Sequence, residues 1–218
     1  MTLRVCVLVS GRGSNLGAVR AAIDEGSLAA SIELVVCNHA DAPALTVAAG
    51  LPIAVLLPGD YPTRARWDTV LAEAVVRAAP HVVFLLGFDR LVGAPLLESF
   101  PDLVLNLHPS LLPAFPGRHA VRDALAYGVT RAGATVHLVD AGIDTGPIVA
   151  QASVPVYLSD DEASLKARIR EQEHDLVVAV LQEYAFDAVR VLRIPGHRPR
   201  VLSRFSRPPD APTAEQRR

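Results

Sequence analysis

Lysine is almost missing from this 218-residue sequence: Lys166 stands alone among 21 basic residues. A phosphate loop of the Walker A type ends on a lysine and Schiff-base catalysis needs one, so two large enzyme classes recede. Cysteine is nearly as scarce. Cys6 and Cys37 each lie in an apolar, β-branched run with no Cys or His partner at metal-ligating spacing. They read as buried thiols of a reducing compartment, not as a disulfide framework or a metal site. No apolar run approaches the ~20 residues of a membrane span, and Met1 leads directly into a strand-like segment without a charged-then-apolar leader. The expectation is a soluble, cytoplasmic protein that meets no membrane. Charge is also thin, 20% of residues against 50% hydrophobic, which is too apolar for a disordered chain. At this length a core can form without staples, with roughly 70% of the unfolded surface buried.

The net charge of −2 hides a segregation. Arg190 to Arg218 carries eight Arg against Asp210 and Glu215 (8 − 2 = +6), leaving −8 for the rest. With Phe205 as the one aromatic among them, these arginines read as a solvated charge run, and no nucleic acid is expected as a partner.

Short apolar runs recur with helix-like segments between them, the spacing of βαβ units. Strands are expected at Leu3–Ser10, Ile32–Cys37, Ile53–Leu57, His81–Leu86 and Leu103–Leu107, and helices at Asn15–Glu25, Ala42–Ala49 and Arg64–Ala79. Ala132 to Val156 reads as two strands flanking a Gly-rich loop, antiparallel to the rest. A long helix follows from Asp161 to Phe186, with Ser159 or Asp160 as its N-cap. The fold class is α/β: an open, mostly parallel twisted sheet with helices on both faces, Rossmann-like, whose ligands bind at the carboxyl ends of the strands. One domain is expected over residues 1–202. Residues 203–218, rich in Arg and Pro, read as a disordered tail.

Three motifs follow strands. Ser10-Gly11-Arg12-Gly13-Ser14-Asn15 combines glycines with a helix start, which suits one phosphate group better than a dinucleotide because the third glycine of GxGxxG is missing. Asn106 and His108 lie two apart near the end of an otherwise apolar strand, so both side chains leave on one face. There a carboxamide can donate to a developing oxyanion and an imidazole can move a proton. In Asp140-Ala141-Gly142-Ile143-Asp144-Thr145-Gly146-Pro147, Asp140 reads as a turn former, while Asp144 either forms the turn or faces a histidine and stabilises its protonated form. His137 reads as a core histidine near the same place. His39, His81 and His197 have no constellation around them.

Ser10–Asn15, Asn106-x-His108-Pro-Ser-Leu-Leu-Pro113, Phe115-Pro-Gly117 and Asp140-x-Gly-x-Asp144-x-Gly-Pro-Ile148, in this order and spacing, resemble the phosphoribosylglycinamide formyltransferase family. The likeness runs from about Leu3 to Tyr184. It implies an enzyme that moves a formyl group from 10-formyltetrahydrofolate to the amine of glycinamide ribonucleotide in de novo purine (IMP) synthesis, without a metal. It implies a catalytic trio of Asn106, His108 and Asp144. Gly13, Ser14 and Asn15 would take the substrate phosphate and Glu173 its ribose. Arg64, the loop Asp89, Arg90, Leu91 and Val92, the loop Ala141 to Asp144, and Asn106 would hold the folate. A homodimer is compatible with the resemblance.

The sequence departs from that family in three places. Asp89 replaces a commonly apolar residue, Ala114 stands where a basic residue is frequent, and the basic segment after Arg190 has no matching counterpart. Two other enzymes would share the trio: a 10-formyltetrahydrofolate hydrolase is expected to carry an added N-terminal domain, and a methionyl-tRNA formyltransferase a further C-terminal one. A phosphate-ligand sensor would need Ser10–Asn15 but not the Asn-x-His pair.

Overall fold

Every residue of β1 (Leu3–Val9) except Arg4 is buried in the computed structural model, which describes residues 2–206. A strand apolar on both faces requires cover on both. Val5, Val7 and Val9 pack toward Leu16 and Val19 of α1 (Ser14–Asp24) and toward α6 (Glu162–Ala185). Cys6 and Leu8 face Trp67, Leu71 and Val75 of α3 (Arg64–Ala78). The remaining strands are β2 (Ala30–Cys37), β3 (Ile53–Val55), β4 (Val82–Leu85), β5 (Val104–His108), β6 (Arg131–Leu138) and β7 (Ile148–Pro155). Their order in the sheet is β3-β2-β1-β4-β5-β6-β7. β1 to β5 run parallel, and β6 is antiparallel to both its neighbours. The expected open α/β sheet is therefore what the chain forms, but of the two late strands expected to oppose it only β6 does, and β7, antiparallel to β6, runs with β1 to β5.

Between β1 and β4 the strand order reverses, so connections leave in opposite directions and open a crevice at the carboxyl ends. Ser10, one residue past β1, donates its N–H to the Gly87 carbonyl beyond β4 at 3.1 Å. Three shorter helices, α2 (Ala44–Val47), α4 (Ala94–Ser99) and α5 (Ala120–Tyr127), complete the layers.

Local chemistry shifts several boundaries. The helix expected over Ala42–Ala49 spans only Ala44–Val47, because the residue before Pro43 is disfavoured from helical backbone. α6 is capped by Asp161, not by Ser159 or Asp160. Asp161 accepts from the Ser164 N–H at 2.8 Å while Ser164 Oγ bonds back to the Asp161 N–H at 3.0 Å, a capping box. Asp160 is instead held by Arg168, through contacts of 2.7 and 2.8 Å.

The boundary expected at residue 202 also moves. β8 (Arg190–Leu192) and β9 (Arg200–Leu202) form a hairpin that the apolar periodicity did not announce. Past it, Ser203 is fully buried and residues 204–206 make a 3₁₀ turn. The reason lies on α6: Glu183 is 7% exposed and accepts from the Arg204 N–H at 2.8 Å. Residues 207–218 of the expected tail lie outside the described residues.

A chain ended after Leu202 therefore loses the donor to a buried carboxylate, which costs on the order of 1–3 kcal/mol. Its melting temperature is expected to fall by several degrees, at about 2–4 °C per kcal/mol for a chain of this size. Calorimetry of the truncated and full-length proteins measures this, and equal melting temperatures would show that the Glu183–Arg204 contact contributes nothing.

Candidate active site

β5 ends on His108, and its alternation sends Asn106 and His108 to the same side, as the spacing requires. β6 runs antiparallel beside it, with His137 opposite Asn106 in register. The chain then leaves β6, makes the 140–147 excursion and returns, with the Leu138 N–H bonded to the Pro147 carbonyl at 2.9 Å. This return brings Asp144 over the end of β5. Its Oδ2 lies 3.3 Å from His108 Nδ1, and its Oδ1 lies 3.4 Å from Asn106 Nδ2 and 3.5 Å from His137 Nε2. Asp140 bonds the Gly142 N–H and the Thr145 hydroxyl, so it forms the turn as expected. Asp144 fills both roles considered for it. Its φ of 53° is the left-handed conformation that Asp tolerates in turns, and its carboxylate faces the histidines.

A second loop completes the cluster from the other side. The Phe115 carbonyl lies 2.9 Å from His108 Nε2, and the Gly117 N–H donates to Asp144 Oδ2 at 2.8 Å. His108 is thus flanked by two acceptors, which a ring with hydrogen on both nitrogens satisfies. Burial would raise the Asp144 carboxyl. The contact from His137, the Gly117 N–H and the positive charge of the histidines prevail and hold it at about 2, below the usual 3.8. The backbone groups of Phe115 and Gly117 complete the cluster. Phe115-Pro-Gly117 entered the sequence analysis only through the resemblance, and its glycine, here at a left-handed φ of 88°, was the local mark of a tight turn.

On the far side of β5 lies a cavity of about 250 Å³, lined by Gly11 to Asn15, Gly87, Pro109 and one face of α6. Gly13 caps α1 in left-handed backbone and offers no side-chain acceptor, so first-turn N–H groups of the helix stay open to an anion. A Cβ at Gly13 would come within 2.8 Å of Ala44 Cα, so the glycine is demanded by packing as well as by approach of a ligand. Asn15 donates to Glu173 Oε2 at 3.1 Å, while its own Oδ1 is buried without a partner. Lys166 and Arg170, one helical turn apart on α6, line the same cavity with Arg12. None of these three cations was assigned to the site from sequence, although Arg12 lies in the Ser10–Asn15 motif and Lys166, Arg170 and Glu173 follow helical spacing.

Arg64 and the 89–92 loop also come together, since Arg64 Nη2 donates to the Leu91 carbonyl. Arg64 Nε is held by the Asp68 carboxylate at 2.9 Å. Ala141 is exposed on the excursion near Asp144. The Asp89 side chain turns elsewhere, toward Ser10, Asn38 and His39. His39, which the sequence left without a constellation, therefore has one. Among the described residues no group of three or more His, Cys, Asp or Glu could hold a metal ion.

The family model described as "Formyl transferase" matches residues 3–181. This chain belongs to the formyl transferase family. It is 43% identical over 189 residues to the phosphoribosylglycinamide formyltransferase of Mycobacterium tuberculosis, covering 87% of this chain and 88% of that one. It is 41% identical over 191 residues to the trifunctional purine biosynthetic protein adenosine-3 of Drosophila pseudoobscura pseudoobscura, covering 86% of this chain and 14% of that longer one. The crystal structure of glycinamide ribonucleotide transformylase 1 from Symbiobacterium toebii superposes with a TM-score of 0.86 at 41% identity, over 93% of this chain and 95% of that one. Within this formyl transferase, the matched region holds both the Asn106–His108–Asp144 cluster and the Gly11–Asn15 cavity.

The depressed Asp144 value makes a pH prediction. Its folded-state pKa lies below the unfolded one, so its contribution to stability is complete above about pH 4 and is lost as pH falls toward 2. Urea unfolding of this formyl transferase is expected to show that loss, and the loss should be smaller in Asp144→Asn, which keeps the turn but cannot titrate. Identical pH profiles for the two proteins would contradict the burial and pairing of the carboxylate.

Proposed function

We propose that this chain transfers the formyl group of 10-formyltetrahydrofolate to the primary amine of glycinamide ribonucleotide, a step of de novo purine (IMP) synthesis. The observation that carries the reading is the convergence of a carboxamide, an imidazole and a carboxylate at the end of β5, between a loop shaped for a phosphate and a cleft bordered by Arg64. In this reading the amine attacks the formyl carbon and the carbonyl electron pair moves to oxygen. The N10–carbon bond then breaks with its pair returning to N10, which gains a proton as the attacking amine loses one.

The residues supply what that sequence needs. Asn106 donates to the oxygen as it becomes negative, and its 3.4 Å contact with Asp144 is long enough to give way to a better acceptor. His108 donates to the same oxygen from Nδ1, whose 3.3 Å contact with Asp144 is also long enough to be exchanged, and the Asp144 carboxylate stays beside the ring. One such donor is worth about 3–4 kcal/mol of barrier. Gly13, Ser14 and Asn15 hold the phosphate, aided by Lys166, Arg170 and Arg12, and Glu173 with Asn15 receives the ribose hydroxyls. Arg64, residues 89–92 and residues 141–144 border the folate. The Arg90, Leu91 and Val92 N–H groups make no hydrogen bond among the described residues, which leaves them free for a heterocycle's acceptors. No step calls for a metal. We assign the protein to the cytoplasm, where two free, buried thiols stay reduced.

The assay follows folate absorbance with glycinamide ribonucleotide present, with its dephosphorylated form, and with the amine omitted. Transfer is expected only with an amine, and tighter binding with the phosphate; turnover without amine would mark a hydrolase instead. His108→Ala and Asn106→Ala are each expected to lower kcat by about a hundredfold or more while leaving the affinity for glycinamide ribonucleotide nearly unchanged. Near-normal kcat in either would remove that residue from the chemistry.

A further inference from the structure

The segment from Gly87 to Gly93, between β4 and α4, has no regular structure and few internal hydrogen bonds. A loop without a ladder keeps one conformation only if side chains hold it. Besides a long 3.5 Å contact from Arg118 Nη2 to the Asp89 carbonyl, three attachments do so here. Phe88 stacks on Trp67 of α3 with ring centroids 6.2 Å apart and planes 8° apart. Arg64 donates to the Leu91 carbonyl. The third attachment is Asp89, and it reaches the ends of two strands at once.

The Asp89 N–H donates to Ser10 Oγ at 2.9 Å. Its Oδ1 accepts from Asn38 Nδ2 at 2.7 Å and lies 3.0 Å from Ser10 Oγ, while Oδ2 lies 2.9 Å from His39 Nε2. Asn38 is 2% exposed, so its amide needs partners within the chain, and Asp89 and Ser10 are those partners. Ser10 begins the loop that runs to Asn15. Its N–H also bonds the Gly87 carbonyl, so residue 10 is joined to the 87–89 segment through backbone and side chain alike. Partial burial would raise the Asp89 carboxyl, yet the bonds from Asn38, His39 and Ser10 hold it at about 2. A carboxylate that accepts several such bonds makes the strong, charge-assisted kind.

We propose that Asp89 is a positioning residue: with Ser10, Asn38 and His39 it fixes the 87–92 loop against the 10–15 loop, and its carboxylate does not touch the folate. This rests on the assignment of those loops to folate and phosphate under Proposed function. It replaces the role that family resemblance gives position 89, where an apolar residue is common and no such anchor is possible. The pairing of an acid at 89 with His39 on the next strand end is what makes the anchor. The backbone donors of Arg90 to Val92 are then presented to the folate in one preset arrangement, which lowers the ordering cost of binding it.

Steady-state kinetics on Asp89→Leu, Asp89→Asn, His39→Ala and the double variant Asp89→Leu/His39→Ala test this, with thermal melting as a folding check. Asp89→Leu is expected to raise the KM for 10-formyltetrahydrofolate about tenfold, with KM for glycinamide ribonucleotide and kcat each within about twofold of wild type. Asp89→Asn keeps an Oδ1 acceptor for Asn38, so its KM should rise about threefold, and it decides the matter if Asp89→Leu does not fold. His39→Ala should raise the same KM about threefold and add little on top of Asp89→Leu, as expected of residues in one network. An unaltered folate KM in folded Asp89 variants, or full additivity with His39→Ala, overturns the positioning role and leaves the formyl-transfer reading intact. Absence of transfer by the wild-type protein overturns both.

Discussion

A buried carboxylate cannot be left without partners, and the region around Asp144 is arranged to meet that requirement. With 13% of its side chain exposed, it would be expensive to bury alone. It is met by a histidine from β5, a histidine from β6 and a backbone N–H from the turn after Phe115. Three separate pieces of chain are thereby tied to the loop that carries the anion. The same contacts that relieve its burial also orient His108 and bring Asn106 within reach, so the bonds that satisfy the carboxylate also arrange the trio proposed for catalysis.

The reversal of strand order between β1 and β4 supplies the second constraint. It opens the crevice, and the loops leaving those two strands form its walls. On one wall the uncapped start of α1 leaves N–H donors for an anion, and α6 crosses behind it to add Lys166, Arg170 and Glu173. On the other, Arg64 and the 87–92 loop are joined through the Leu91 carbonyl. The Asp144 cluster sits between them, where a group carried on one ligand can meet an amine carried on the other. Helix-terminal donors on one side and a preset loop on the other mean that little of the site has to be ordered when ligands arrive.

The interpretable parts of the sequence were those governed by local rules. Short continuous apolar runs and the 3.6-residue period located five parallel strands and three flanking helices to within a few residues, because burial on both faces imposes a continuous apolar run on a central strand. Asn106 and His108 could be placed on one face because alternation in a strand is strict. Misplaced boundaries came from competition between equally good local options. Asp160 and Asp161 are both adequate caps, and only the nearby Arg168 decides which one is free to serve. Ser203 and Arg204 looked like tail because composition cannot show that Glu183, buried on α6, lacks a donor.

By itself, then, the sequence determined the fold class, the loops that follow β1 and β5, and the residue types that make formyl transfer feasible. All of these depend on spacing along the chain or on a motif whose members are close in sequence. The tertiary structure alone decided which partners those residues have. Asp144 meets His108 across 36 positions only because the chain leaves β6 and returns over β5. Asn15 meets Glu173 because α6 packs beside α1, and Asp89 turns to His39 instead of the cleft beside Arg64 because β2 ends beside β1. Contacts of that kind depend on how elements pack, and packing is a property of the whole core that no local window contains.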